Sequence, residues 1–472
     1  MDLHSQKIAL IGYGISNQAV LHFLLARGIK PFISSNQESF ESEALTSFQE
    51  HSLAYECGAH RLKNLLDMDL FVVSPGVNLN SSPFTELIKK GKEFIGDIEL
   101  FYRYFPDKKY ICITGSNGKT TTVELLYFML KENLDVELCG NVGEAIFEFA
   151  DSKKNTFILE LSSFQIETLH KFKSDMLVIT NLQPDHIDRY RDEEAYYQAK
   201  LRILPTLKNN CLLIFNKDCS NSSFFLKKEI LAPAMRLCPV YLEDLCGAQN
   251  SISREYFASV SIGKDRLRLC KENFADVVLQ LKDFQLQGLH NKYNLACCFA
   301  AANFLLPGFN NYLQERMKHF KALTHRLEWL MSIEGVNFIN DSKATSMSAS
   351  SSGINSLTEP LLILTGGQYK GDPMDSWLDI LKEKSRKVFV FGAARELFFQ
   401  AMTTRKIDVT SCEDLEDACS QAYQASKSGD TIVLSPACAS FDMFKNYRER
   451  GRKFKEIVKN MAFRDKAKLR EV

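Results

Sequence analysis

The sequence predicts an α/β protein of three domains, and three observations carry that prediction. First, 472 residues are too many for one compact core at roughly 100–200 residues per domain. Second, short apolar runs alternate with helix-like stretches, as in parallel sheets covered by helices. Third, the alternation restarts near Tyr110 and again near Val336. The expected domains are 1–96, 97–322 and 323–472.

The first domain begins with an apolar strand, Lys7–Ile11, then Gly12-Tyr13-Gly14, then a helix-like stretch, Gln18–Ala26. Further strands are expected at Pro31–Ser34 and Leu70–Ser74. Strand, glycine turn and helix in that order read as Rossmann-like. A dinucleotide fingerprint wants glycine where Asn17 stands, and an acidic residue where the chain has Ser34-Ser35-Asn36. Both departures argue against an NAD site.

The second domain opens with the strand Tyr110–Thr114 and continues through Thr156–Leu161, Met176–Thr180 and Cys211–Asn216. Between about 220 and 280 the alternating pieces, such as Asp276–Lys282, suggest antiparallel strands. Helices are expected at Glu193–Leu204 and after Gly288, where Asn291 and Asn294 fall in the first turns. Strands of the third domain are expected at Val336–Asn340, Leu361–Thr365, Val388–Phe391 and Thr431–Ser435.

Composition excludes several classes. The chain is 45% hydrophobic and 25% charged, with 58 basic and 58 acidic side chains. A zero net charge argues against a general nucleic-acid or membrane surface. The opening MDLHSQKIAL has no secretory pattern, and no apolar run approaches the roughly 18 residues of a membrane helix. The 13 cysteines include no CxxC pair and read as reduced, mostly core-filling thiols of a cytosolic protein.

The strongest motif is Gly115-Ser116-Asn117-Gly118-Lys119-Thr120-Thr121-Thr122. A strand precedes it and an amphipathic helix follows, the setting of a phosphate loop rather than an ordinary turn. Backbone N–H groups and the helix N-terminus would face phosphate oxygens. Lys119 would reach the β- and γ-phosphates, and Thr120 would offer its hydroxyl to Mg²⁺. Glu160 falls at a strand end, where open sheets place their ligands. Taken alone it would be a solvated or capping carboxylate. His186 alone would be a surface histidine, and Lys200 alone a solvent-facing helical lysine.

Seven ordered segments beyond this loop change those readings. They are Gly140–Gly143, Leu159–Gln165, Asp185–Tyr190, Ala199–Ile203, His325–Glu328, Asn340–Thr345 and Ser435–Asp442. With the loop, which is shorter than the common GxxxxGK[ST] form, they resemble the Mur ligases, nearest the branch that adds D-glutamate. The resemblance spans nearly the whole chain. It implies a Rossmann-like UDP-binding domain, a central P-loop domain and a C-terminal Rossmann-like domain. It implies ATP and two Mg²⁺ ions, with Glu160, His186 and a carbamylated Lys200 joining Thr120 as metal ligands. Asn294, Arg326 and Asp341 would contact the adenine, phosphates or ribose of ATP. The partners would be UDP-N-acetylmuramoyl-L-alanine and D-glutamate, bound by a cytoplasmic monomer with no membrane insertion.

In the first domain the resemblance puts Ile15 and Ser16 near the diphosphate, with Ser74 and Gly76 in the matching second loop. Asn141 falls to the same substrate. Lys343, Thr345, Lys370, Ser440, Phe441 and Tyr447 match positions around D-glutamate. Three rivals stand beside this reading. A folylpolyglutamate synthase would lack the first domain. The ligase that adds a diamino acid would carry an Asp-Asn-Pro-Arg motif, absent here. A scaffold without catalysis would not need Lys119, Glu160, His186 and Lys200 together.

Overall fold

The computed structural model describes residues 5–142, 144–184, 190, 192–224, 235–243, 256–271, 274–282, 284–286, 288–320, 324–357, 360–372 and 374–468. Its strands form three sheets. The first is β1 (Ile8–Ile11), β2 (Phe32–Ser34), β3 (Tyr55–Glu56), β4 (Leu70–Val73) and β5 (Glu93–Ile95). All of its pairings are parallel, in the order β3-β2-β1-β4-β5. Every residue of β1 and β4 is buried. Helices cover both faces, so these strands are continuously apolar rather than alternating. Sequence patterning missed β3 and β5, which are too short to show a period.

The second sheet contains β6 (Lys109–Thr114), β7 (Val136–Gly140), β8 (Thr156–Glu160), β9 (Ser174–Ile179), β10 (Leu207–Asn216), β11 (Arg236–Leu242), β12 (Ala258–Ile262), β13 (Arg266–Lys271) and β14 (Val277–Gln280). Their order is β14-β13-β12-β11-β10-β9-β6-β8-β7. The pairs β12–β13 and β13–β14 are antiparallel, as the alternation between 220 and 280 suggests, but β11 joins β10 and β12 in parallel. The expected helix Glu193–Leu204 ends earlier, at Leu201, and a 3₁₀ turn follows at Leu204–Thr206. Pro205 disfavours helical backbone at the residue before it and removes a donor, which explains the early stop.

The third sheet holds β15 (Glu328–Ile333), β16 (Val336–Asn340), β17 (Leu361–Gly366), β18 (Ser385–Phe391), β19 (Val409–Ser411) and β20 (Thr431–Leu434). Its order is β15-β16-β20-β17-β18-β19, parallel except for the β15–β16 pair. The long helix Tyr447–Lys468 packs back along this domain, burying Phe454, Ile457 and Val458 with the sheet.

The helix Asp97–Tyr104 connects the first two sheets and is fastened to the second by one carboxylate. Glu99, fully buried, accepts the backbone N–H groups of His170, Lys171 and Phe172 and pairs with Arg103 at 2.7 Å. Ring contacts such as Phe23 with Phe147, 4.7 Å between centroids, continue one apolar core between the two sheets. Twelve described cysteines are free, nine of them buried, which fits their reading as core-filling thiols. No helix among the described residues is long and apolar enough to cross a membrane.

Candidate active site between the second and third sheets

β6 lies between β9 and β8, so chain connections leave it in opposite directions. The carboxyl end of such a strand opens a crevice, and the loop Gly115–Lys119 begins there. Gly118 has φ +81°, and a Cβ on it would lie 2.4 Å from Asn294 Oδ1. Glycine is therefore required both for the turn and for the approach of Asn294. The helix Lys119–Leu130 starts immediately afterwards and directs its N-terminal N–H groups into the loop.

The loop is held from behind by a segment that sequence reading did not single out. Thr180 Oγ1 donates to Asn117 O at 2.5 Å, and Asn117 N donates to Asn181 Oδ1 at 3.0 Å. Ser116 Oγ donates to Gln183 O at 2.6 Å, while Asn117 Nδ2 donates to Gln183 Oε1 at 2.8 Å. A run of polar residues just past the end of β9, beside a phosphate loop, was the available signal.

Lys119 Nζ donates to Gly115 O and Ser116 O, each at 2.8 Å. Thr120 Oγ1 donates to Glu160 Oε2 at 2.7 Å, and Asn141 Nδ2 donates to Glu160 Oε1 at 2.8 Å. Burial disfavours the Glu160 carboxylate, but the Lys343 and Lys119 ammonium groups and the hydrogen bonds from Asn141 and Thr120 outweigh it. The Glu160 pKa is held below the usual carboxylate value. A hydroxyl and an ionised carboxylate beside a phosphate loop suit Mg²⁺, which takes one or two protein oxygens and completes its shell with phosphate and water. Among the described residues no group of three or more His, Cys, Asp or Glu side chains stands ready for a metal. His186 lies outside the described residues. Lys200 is 2% exposed, donates to Gly115 O at 2.9 Å and lies 4.7 Å from the Tyr196 ring. It is thus under the loop and not on a solvent-facing helix surface.

The third domain closes over this loop. Arg326 Nη1 meets Thr121 Oγ1, and Lys343 Nζ meets Thr120 Oγ1. Lys343 is therefore at the phosphate loop as well as 5.4 Å from the Tyr447 ring. Burial first, then Arg326, lowers the Lys343 pKa to about 7 despite Glu160. Asp341, 4% exposed, accepts from Leu327 N at 3.2 Å. Burial raises its pKa to about 7 against the pull of that N–H and of Arg326. A cavity of about 750 Å³ opens between the two sheets, lined by Asn117, Gly118, His290, Asn294, Arg326 and Asp341 among others. That volume suits a nucleotide.

The remaining acceptor candidates sit at the carboxyl edge of the third sheet. Lys343 and Thr345 follow β16, Lys370 follows β17, and Ser440 and Phe441 follow β20, with Tyr447 opening the last helix. Ser440 is buried, and Phe441 is 70% exposed. The backbone here is unusual: His325, Leu327 and Ala437 all have positive φ, at +66°, +44° and +60°. Such strain, about 1 kcal/mol or more each, persists where surrounding contacts impose it.

The first-domain candidates form a separate group at the carboxyl end of β1. Ser74 Oγ donates to Gly12 O at 3.3 Å, Ser16 hydrogen-bonds the buried Asp97, and Ile15 is 76% exposed. Gly76 is exposed nearby in the loop after β4. Asn17, where a fingerprint glycine was wanted, is fully buried, and its Nδ2 lies 3.0 Å from Ile11 O, 2.8 Å from Gly12 O and 3.1 Å from Val72 O. It closes the turn by hydrogen bonding instead of by small size. The acid missing after β2 stands one strand over. Glu56 ends β3 and accepts from Ser34 Oγ at 2.7 Å and Asn64 Nδ2 at 2.7 Å.

Comparison with known proteins agrees with this architecture. Family models match in three successive pieces: MurD N-terminal domain at residues 7–87, Mur ligase middle domain at 113–302, and Mur ligase, glutamate ligase domain at 325–438. The chain belongs to the Mur ligase family. Among its curated relatives, the UDP-N-acetylmuramoylalanine–D-glutamate ligase of Cytophaga hutchinsonii is 34% identical, over 97% of this chain and all of the relative. The enzyme of the same name from Caldicellulosiruptor saccharolyticus is 32% identical over 98% of this chain and all of its own. Solved structures share the fold at lower identity. The pseudomurein peptide ligase type C of Methanothermus fervidus aligns with a TM-score of 0.59 and 18% identity over 97% of this chain and all of that one. MurF of Acinetobacter baumannii aligns at 0.57 and 13%, over 97% and 92%.

Proposed function

We propose that this chain uses ATP to join D-glutamate to the alanine carboxylate of UDP-N-acetylmuramoyl-L-alanine, in the cytoplasmic synthesis of peptidoglycan precursors. The observation that carries this reading is full-length likeness to D-glutamate ligases, together with Thr120, Glu160 and Lys343 meeting at the phosphate loop. The domains divide as 1–96 for the UDP substrate, 97–322 for ATP and 323–472 for the amino acid, in a monomer.

A carboxylate has no good leaving group. One alanine carboxylate oxygen attacks the γ-phosphorus of ATP, ADP leaves, and an acyl phosphate results. The D-glutamate amine then attacks the acyl carbon. The tetrahedral intermediate collapses by expelling inorganic phosphate, and the amine proton is released to a base or to water. Lys119 and the loop N–H groups hold the phosphoryl oxygens, and Lys343 adds positive charge from the third domain. Asn294, Arg326 and Asp341 bind the nucleotide across the cavity. Thr120 and Glu160 would hold Mg²⁺, whose charge neutralises the phosphate oxygens. His186, by its motif, and a carbamylated Lys200 would serve a second ion. Carbamylation replaces the ammonium by an anionic oxygen donor and requires a neutral amine. Ile15, Ser16, Ser74, Gly76 and Asn141 hold the UDP-sugar. Lys343, besides its place at the phosphate loop, joins Thr345, Lys370, Ser440, Phe441 and Tyr447 around D-glutamate.

Phosphate release measured with a panel of acceptors tests this function. Release is expected to require both UDP-N-acetylmuramoyl-L-alanine and D-glutamate. Equal stimulation by L-glutamate, L-alanine or meso-diaminopimelate would overturn the acceptor assignment.

A further inference from the structure

The third domain buries a guanidinium that no step above uses. Arg450, in the first turn of the helix Tyr447–Lys468, is fully buried. Its Nε donates to Ser342 Oγ at 3.1 Å. Its Nη2 donates to Ser342 O at 2.9 Å and Cys438 O at 3.1 Å. Its Nη1 faces Ala439 O at 3.4 Å and Gly366 O at 3.5 Å. Five N–H hydrogens therefore meet five oxygens, one hydroxyl and four carbonyls. None of the five belongs to a carboxylate.

Those oxygens come from three different loops. Ser342 follows β16 and precedes Lys343 and Thr345. Gly366 ends β17 and leads to Lys370. Cys438 and Ala439 follow β20 and precede Ser440 and Phe441. Ser342 Oγ donates onward to Tyr447 O at 2.8 Å, adding the start of the last helix. Every acceptor-site candidate thus lies within a few residues of an atom that Arg450 or its partner Ser342 engages.

The loops also fit one another around this side chain. Gln368 and Ala439 exchange backbone hydrogen bonds of 2.9 and 3.0 Å. Gly367 has φ +131°, and a Cβ there would lie 2.3 Å from Ala439 O and 3.1 Å from Arg450 Nη1. Ala437, just before Cys438, holds a left-handed backbone at φ +60°. Apolar packing could join these loops without the expense of a buried charge. A planar five-donor fork does more, because it fixes the direction of each carbonyl it touches. It also leaves a positive charge behind loops expected to receive a dicarboxylate. Burial lowers the Arg450 pKa to about 10, which leaves the side chain charged at neutral pH.

We propose that Arg450 is the positioning residue of the amino-acid site, setting the mutual geometry of the three loops that select and orient the acceptor. It touches neither substrate nor ATP in this account. The inference rests on the proposed D-glutamate site.

The test uses the full-length enzyme with Arg450→Lys, Arg450→Met and Ser342→Ala. KM is measured separately for D-glutamate, ATP and the UDP substrate, alongside kcat and the unfolding midpoint. Arg450→Met is expected to raise KM for D-glutamate at least twenty-fold, with the other two KM values within twofold of wild type. Arg450→Lys, which keeps the charge and loses the fork, should fall between. Ser342→Ala removes one acceptor without disturbing the charge and should raise KM for D-glutamate at least threefold; it decides the matter if Arg450→Met does not fold. An unchanged KM for D-glutamate, or a parallel change in all three KM values, overturns the proposal. Wild-type enzyme without D-glutamate-dependent phosphate release would instead overturn the acceptor assignment itself.

Discussion

Two strand–glycine–helix turns in this chain look alike in sequence and are built differently. Gly12–Asn17 follows β1 in the first sheet, and Gly115–Lys119 follows β6 in the second. Both sit where neighbouring strands diverge in connection, and both lead into a helix. The second turn gathers charge: Lys119, Glu160 and Lys343 converge on it, and Lys200 lies beneath it. The first is closed by amide and hydroxyl groups, with Asn17 pinning three carbonyls, Ser74 bonded across to Gly12, and one buried carboxyl, Asp97, bonded to Ser16. The contrast is consistent with the two tasks proposed for these turns. A turn that only cradles a bound diphosphate can rely on N–H groups and helix ends. A turn at which a phosphoryl group moves must also stabilise charge that changes during the reaction.

Substitutions that strip one turn and spare the other would break or sharpen this contrast. The largest effect is expected from Lys119→Ala, which should lower kcat by about 10³-fold or more in a phosphate-release assay. A loss below about tenfold would place the catalytic charge elsewhere. Lys200→Ala should lower kcat by about 10²-fold or more, and added short carboxylic acids should restore part of it by supplying oxygen ligands. Near-normal turnover without them would remove Lys200 from the metal site.

On the first turn, Asn17→Ala removes the buried amide that bonds three carbonyls and should reduce stability by about 1–3 kcal/mol in denaturant unfolding. KM for the UDP substrate should rise while KM for ATP stays unchanged. Equal effects on both would mean that the two turns are not independent. The smallest effect concerns Asp341, whose pKa is raised to about 7 by burial. Between about pH 4 and 7 the folded protein keeps a proton here that the unfolded chain has lost. Wild-type stability should therefore fall as pH rises through that window, relative to Asp341→Asn. The difference should be on the order of 1 kcal/mol, since the cavity admits screening water. A stability difference that is flat with pH would contradict the burial argument.

The contrast also explains what the sequence could reveal. The phosphate loop was legible because its chemistry needs specific residues at adjacent positions. The alternation of strands and helices was legible because covered parallel strands are continuously apolar. Two-residue and three-residue strands such as Tyr55–Glu56 and Val409–Ser411 carry no period to detect. Asn17 appeared as a departure from a pattern because sequence does not display the three carbonyls that its amide reaches. Asn181 and Gln183 support the phosphate loop from more than 60 positions away. Arg450 joins loops up to 108 residues distant. Such long-range polar support depends on the folded path of the chain, which local patterning does not contain.

The central claim is that the turn at Gly115–Lys119 transfers phosphate to a carboxylate. It is tested most directly by labelling the alanine carboxylate oxygens of UDP-N-acetylmuramoyl-L-alanine with ¹⁸O and allowing the full reaction with ATP and D-glutamate. Mass analysis of the inorganic phosphate should find one ¹⁸O atom, carried over when the acyl phosphate is broken. Unlabelled phosphate accompanying amide product, or label appearing in AMP, would contradict the account.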